Sequence, residues 1–110
     1  MGDLNYRLNT TFEELNNENI DTALKLVQNY DDQFFISKDE GNYPLYTEPK
    51  IEFLPTYKCD DNKKYTYVNK KNQCPSYCDR ILFKNNSCLE VGEDFYLGRH
   101  DLIGSDHRPV

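Results

Sequence analysis

The two ends of this 110-residue chain carry polar segments that only make chemical sense together. Gly2-Asp3-Leu4-Asn5-Tyr6-Arg7 sets a carboxylate and an amide two positions apart, and Ser105-Asp106-His107-Arg108-Pro109-Val110 sets another carboxylate beside an imidazole. Between them lie Pro55-Thr56-Tyr57-Lys58 and Pro75-Ser76-Tyr77-Cys78-Asp79-Arg80-Ile81-Leu82. If these segments serve one ligand, folding must carry both ends of the polypeptide and the Cys78-Asp79-Arg80 stretch to a common point. That requirement constrains the fold more than any local propensity does.

A chain of this length is one domain at most. Its apolar fraction is 37%, and nine of those residues are Tyr, so the interior it can build is small. No apolar run reaches the length of a membrane span. No charged-then-apolar leader precedes Asp3, which favours a cytoplasmic protein. Cys59, Cys74, Cys78 and Cys88 are spaced for neither a zinc site nor a disulfide framework and read as reduced thiols. The net charge of −6 argues against a general nucleic-acid binder. From Lys58 to Lys84, however, seven basic residues face three acids, a local balance suited to a small anionic substrate or a lipid head group. Lys63 and Lys64 read as part of a solvated loop.

There are no internal repeats. Thr11-Phe12-Glu13-Glu14 fits a capping box, and Ile20, Leu24 and Val27 with Ala23, Leu26 and Tyr30 predict a helix from about Asp21 to Tyr30. Ile51-Glu52-Phe53 alternates as a short strand does, a brief strand is predicted near Tyr65–Tyr67, Arg80–Phe83 is a buried-strand candidate and Phe95–Leu97 a weaker one. Strands with helices on one face indicate α/β or α+β layering.

Hydrolysis of a phosphate ester needs an in-line water, donors or positive charge on the phosphoryl oxygens and usually a divalent metal. Asp3 can accept the proton of such a water. On a strand end Asn5 would share the face of Asp3 while Leu4 points to the core. His107 can donate to a phosphoryl oxygen when a carboxylate holds its other ring nitrogen. Asp106 is its neighbour in sequence and diverges from it on a strand, so Asp79 is the better partner. Arg80 reads as half of a structural ion pair. His100 with Asp101 reads as surface loop.

These residues together resemble the inositol polyphosphate 5-phosphatases, within the magnesium-dependent endonuclease/exonuclease/phosphatase superfamily. The stretches Pro75 to Leu82 and Ser105 to Val110 are specific to that family; nuclease branches share only the terminal elements. The resemblance implies the C-terminal portion of a four-layer α/β sandwich, with two packed, mostly antiparallel sheets flanked by helices, over residues 1–110. It implies hydrolysis of the 5-phosphate of phosphoinositides or inositol polyphosphates with Mg2+, in the cytoplasm or at a membrane surface. Asp3 would be the base, Asn5 its companion, Asp79 the residue orienting His107, and Asp106 would sit by the metal. Tyr57, Lys58 and Lys71 would bind a neighbouring phosphate.

The sequence departs from that pattern in three ways. Gln73 stands where an Arg is usual, Tyr77 where a Trp is usual, and the family's upstream Glu, which holds magnesium, has no counterpart in the chain. The expectation is an incomplete sandwich with an unpaired sheet edge, inactive unless a complementary segment docks. The alternative is a catalytically dead remnant that binds phosphoinositides or a protein partner.

Overall fold

The computed structural model of the chain describes residues 1–8, 12, 45–70, 72–84 and 95–110. The predicted helix over 21–30, most of the capping box, Lys71 and Cys88 lie outside the described residues.

Among the described residues four short strands are formed: β1 (Gly2–Asp3), β2 (Tyr46–Thr47), β3 (Asp79–Arg80) and β4 (Phe83–Lys84). β1 pairs with β3 and β2 with β4, both antiparallel. The register sets Gly2 opposite Arg80 and Asp3 opposite Asp79. The pairing continues past β1 and β3: the Leu4 N–H donates to the Cys78 carbonyl at 2.7 Å, and the Leu8 N–H to Ser76 Oγ at 3.1 Å. Isolated antiparallel bridges then join Ser76 to Tyr57 and Tyr57 to His107. The four segments singled out in the sequence therefore lie side by side, in the order 2–8, 74–80, 55–59, 105–108. Proline lacks a backbone N–H, so Pro55 and Pro75 sit just ahead of the paired residues and the ladder begins at Thr56 and Ser76. The Tyr57–Lys58 peptide bond is cis.

Sequence and structure differ in detail along the strands. The Arg80–Phe83 candidate splits into β3 and β4, which belong to different sheets, with Ile81 and Leu82 between them. Ile51–Phe53 shows the expected alternation of burial but joins no ladder among the described residues, and Tyr96 is buried between exposed Phe95 and Leu97 in the same manner. The strand near Tyr65–Tyr67 reduces to a single bridge between Cys59 and Tyr67. In each case alternation recorded which side chains face the core. It did not require a hydrogen-bonded neighbour.

The core cluster comprises Leu8, Ile51, Phe53, Cys74, Tyr77 and Tyr96. Phe53 meets Tyr96 edge-on at 5.0 Å between centroids and Tyr77 at 5.9 Å. Gly98 lies so close to the Phe53 ring that an added Cβ would stand 2.8 Å from it. The tyrosine hydroxyls are placed on backbone acceptors, Tyr77 on the Phe53 carbonyl at 2.9 Å and Tyr67 on the Pro55 carbonyl at 2.7 Å. Cys59, Cys74 and Cys78 are buried, and the thiols of Cys59 and Cys78 are free.

Buried charge completes the framework. The Arg80 side chain is fully buried against Glu48, 3.2 Å away and 6% exposed, and its Nε donates to the Tyr77 carbonyl. The Tyr96 hydroxyl donates to the same Glu48 carboxylate at 2.7 Å. Arg108, also fully buried, donates to the Ser105, Asp60 and Lys63 carbonyls at 2.6, 2.6 and 3.0 Å. His100 is buried rather than on the surface, and Asp101 pairs with Arg99 instead. Its Nε2 donates to the Leu54 carbonyl at 3.1 Å, and its ring stacks on Tyr65 at 5.8 Å.

Two predictions follow from this packing. Arg80→Met takes the cation from a buried carboxylate and is expected to cost about 3–5 kcal/mol in urea unfolding. Adding Glu48→Gln is expected to recover much of that loss. The second concerns pH. Burial, joined by the Arg108 charge and opposed by the Leu54 carbonyl and Asp101, pushes the His100 imidazole below its usual pKa. Above about 6.5 the imidazole is neutral in both states and stability is full. As pH falls further, the unfolded chain takes up a proton before the folded chain does, so stability declines. His100→Gln is expected to flatten that acid limb in urea midpoints measured across pH.

Candidate functional site

The β1–β3 register places Asp3 directly across from Asp79. Residues opposed in an antiparallel pair project to the same face, and two like charges there repel. His107 relieves that conflict. Its Nδ1 lies 2.9 Å from Asp79 Oδ2 and 3.2 Å from Oδ1, while its Nε2 lies 3.9 Å from Asp3 Oδ2. A carboxylate only accepts, so Nδ1 carries the proton toward Asp79 and Nε2 is the nitrogen presented toward Asp3. The gap of 3.9 Å is too wide for a direct hydrogen bond and leaves room for a shared partner of both groups. Asp79 is 15% exposed, His107 30% and Asp3 50%, so the cluster opens outward on the Asp3 side.

Asn5 reaches its place by a route other than strand alternation. β1 ends at Asp3, and Asn5 adopts a left-handed backbone with φ of 57°, which Asn tolerates better than most residues. Its N–H donates to Asp3 Oδ1 at 2.9 Å, closing an Asx turn that orients the carboxylate. Its side-chain oxygen accepts from Arg7 Nη2 at 2.6 Å.

The segment 55–59 supplies the next layer. The Tyr57 ring lies 4.4 Å from the His107 ring, tilted by 34°. Lys58 Nζ is 2.5 Å from Asp106 Oδ2. That hydrogen bond raises the Lys58 pKa and holds the Asp106 carboxyl below its ordinary value. The pair borders a polar cavity of about 670 Å³ that Lys70 and Ser105 also line, while a smaller one of about 220 Å³ reaches Asp79 and His107 past Leu102 and Ile103.

The structure thus brings Asp3, Asp79 and His107 into one cluster, with Asn5 and Tyr57 against it. Lys58 and Asp106 form a second unit alongside. Among the described residues, Asp3, Asp79 and His107 have donor atoms within 4.8 Å of one another, a spacing one metal ion can span. Magnesium is commonly held by one or two carboxylates, with waters and substrate phosphates completing its shell, so this donor set fits such an ion. Asp106, expected by the metal from sequence, rests on Lys58 and is not in that group. Sequence reasoning missed Arg7, whose guanidinium carbon stands 4.6 Å over the Tyr57 ring. Its place in the Asn-Tyr-Arg run was the one available signal.

The sequence profile of Endonuclease/Exonuclease/phosphatase family 2 matches residues 1–110. A probable inositol polyphosphate 5-phosphatase of Schizosaccharomyces pombe is 34% identical over 99% of this chain and 9% of its own length. Synaptojanin of Caenorhabditis elegans is 36% identical over 100% of this chain and 10% of its own length. The crystal structure of the inositol polyphosphate 5-phosphatase domain of SPsynaptojanin, in complex with inositol (1,4)-bisphosphate and calcium ion, superposes with a TM-score of 0.77 at 31% identity, covering 96% of this chain and 30% of that one. The chain therefore spans about a tenth of the length of these two curated relatives. Its two small antiparallel sheets are part of an α/β sandwich. Profile, relatives and fold agree, and the chain belongs to endonuclease/exonuclease/phosphatase family 2, with inositol polyphosphate 5-phosphatases as its relatives.

Proposed function

We propose that the chain acts in the hydrolysis of the 5-phosphate of inositol polyphosphates or phosphoinositides, as the C-terminal portion of a catalytic domain. The observation that carries this reading is the meeting of Asp3, Asp79 and His107, drawn from three separate segments, with a gap between Asp3 and His107. The names of the relatives and the inositol bisphosphate in the solved neighbour support the substrate class. The protein would work in the cytoplasm, and at the membrane surface where its substrate is a lipid.

In this mechanism Asp3, oriented by the Asn5 N–H, takes a proton from the attacking water. Asn5 helps to orient that water. The new bond forms between the water oxygen and phosphorus, the bond from phosphorus to the inositol oxygen breaks, and that oxygen leaves as the alcohol by taking a proton from solvent water. Asp79 accepts from the His107 Nδ1–H and fixes the ring, and in the doubly protonated ring Nε2–H donates to a phosphoryl oxygen. Lys58, with Tyr57 beside it and Lys71, binds a neighbouring phosphate. There the substrate competes with Asp106 for the ammonium. The carboxylates of Asp3 and Asp79 would hold magnesium, which when bound would supply positive charge to the phosphoryl oxygens.

Release of inorganic phosphate from a soluble inositol polyphosphate in the presence of magnesium, with the complementary upstream segment of the domain supplied, tests the proposal. Asp3→Asn and His107→Ala are each expected to lower turnover by about 10²–10⁴-fold. Lys58→Met is expected to act mainly on KM. Chelation by EDTA is expected to stop the reaction, and added magnesium to restore it. Phosphoinositide binding without turnover would instead identify a non-catalytic binding module.

A further inference from the structure

Arg7 is a charged residue in contact with Asn5 and Tyr57 to which neither the sequence nor the proposed mechanism gives a task. Its guanidinium makes two contacts that bear on the site. Nη2 donates to Asn5 Oδ1 at 2.6 Å, and the guanidinium carbon stands 4.6 Å from the centroid of the Tyr57 ring. Nη1 is buried without a hydrogen-bond partner among the described residues. A cation deprived of water at one edge gains most from the negative face of an aromatic ring, so the contact with Tyr57 offsets that desolvation.

Tyr57 is in turn the residue that locates His107. The two are bridged through the backbone, and their rings are 4.4 Å apart. His107 is otherwise fixed by Asp79 through one ring nitrogen, and a hydrogen bond at one edge leaves the ring free to rock about it. The Tyr57 ring restricts that motion, and Arg7 restricts the Tyr57 ring. On its other side Arg7 grips the residue whose N–H orients Asp3.

We propose that Arg7 is a positioning residue, which through Asn5 and the Tyr57 ring sets the relative orientation of Asp3 and His107 on the two sides of the gap. Lysine is a poor substitute. It keeps a charge near the ring but lacks the planar fork that reaches Asn5 and the ring together. The catalytic consequence rests on the function proposed above; the positioning itself does not.

The chain has two histidines, so its imidazole proton resonances are few enough to follow individually. His100, stacked on Tyr65 and distant in sequence from Arg7, serves as the internal monitor of folding. In the unsubstituted protein, NMR is expected to show NOEs from the Arg7 side chain to the Tyr57 ring and from that ring to His107. Absence of either would overturn the proposal without any variant. Arg7→Met is expected to move the His107 ring resonances while those of His100 stay in place, and Arg7→Lys to move them less in the same direction. Unmoved His107 resonances in a folded variant would overturn the proposal. If Arg7→Met fails to fold, the NOEs and Arg7→Lys decide. These readouts need no substrate, so they stand apart from the hydrolysis assay. Where turnover is measured, Arg7→Met is expected to lower kcat by about tenfold or more with little change in KM, since misplacing reacting groups acts on the chemical step. A loss confined to KM would count against positioning.

Discussion

The backbone of Tyr57 is the hinge on which the arrangement turns. It exchanges hydrogen bonds with Ser76, its N–H at 3.1 Å from the Ser76 carbonyl and its carbonyl at 2.6 Å from the Ser76 N–H. It is bridged as well to His107. Ser76 stands three residues before Asp79, and Asp79 is opposite Asp3. Without that central segment the terminal imidazole would keep its side-chain contact with Asp79 but lose the backbone ladder that aligns it with the opening aspartate. Segments far apart in the chain are costly to bring together, and short ladders provide few bonds to offset that cost. Each bond therefore matters more than it would in a broad sheet.

The chain compensates for a small apolar content by fixing polar atoms inside. Tyrosines fill the core as large rings while their hydroxyls meet carbonyls or Glu48. Arg80 crosses the core to Glu48 and touches the Tyr77 carbonyl on the way. Such buried polar contacts demand specific geometry, whereas apolar packing tolerates rearrangement. The interior is thus suited to holding a site in register, and the strand that carries Asp79 also carries Arg80.

How far this was legible in the sequence differs from residue to residue. The pairing of His107 with Asp79 rather than Asp106 was readable, because neighbours on a strand diverge while a separate strand can approach. The ion-pair role of Arg80 was readable from its position beside Asp79 in an apolar run. Asn5 was placed beside Asp3 for the wrong physical reason: a left-handed turn does what alternation was thought to do. His100 was misplaced because a polar residue next to Asp and Arg looks solvated. Its burial depends on Leu54, Tyr65 and Tyr67, which are remote in sequence. The grip of Arg7 on Tyr57 was illegible for the same reason, since cation–π contacts leave no spacing rule in a sequence.

Arg108 has a consequence of a different kind. Its guanidinium holds the chain at Asp60 and Lys63 by their carbonyls. Main-chain oxygens are common to every amino acid, so the clamp dictates the path of that loop while placing no demand on which side chains it displays. Substitution at Asp61 or Asn62, both exposed and lining the same cavity as the Lys58–Asp106 pair, can alter the charge there while the clamp keeps the path of the loop. The architecture separates a rigid trace from an adjustable surface, and related chains can diversify in specificity there at small structural risk.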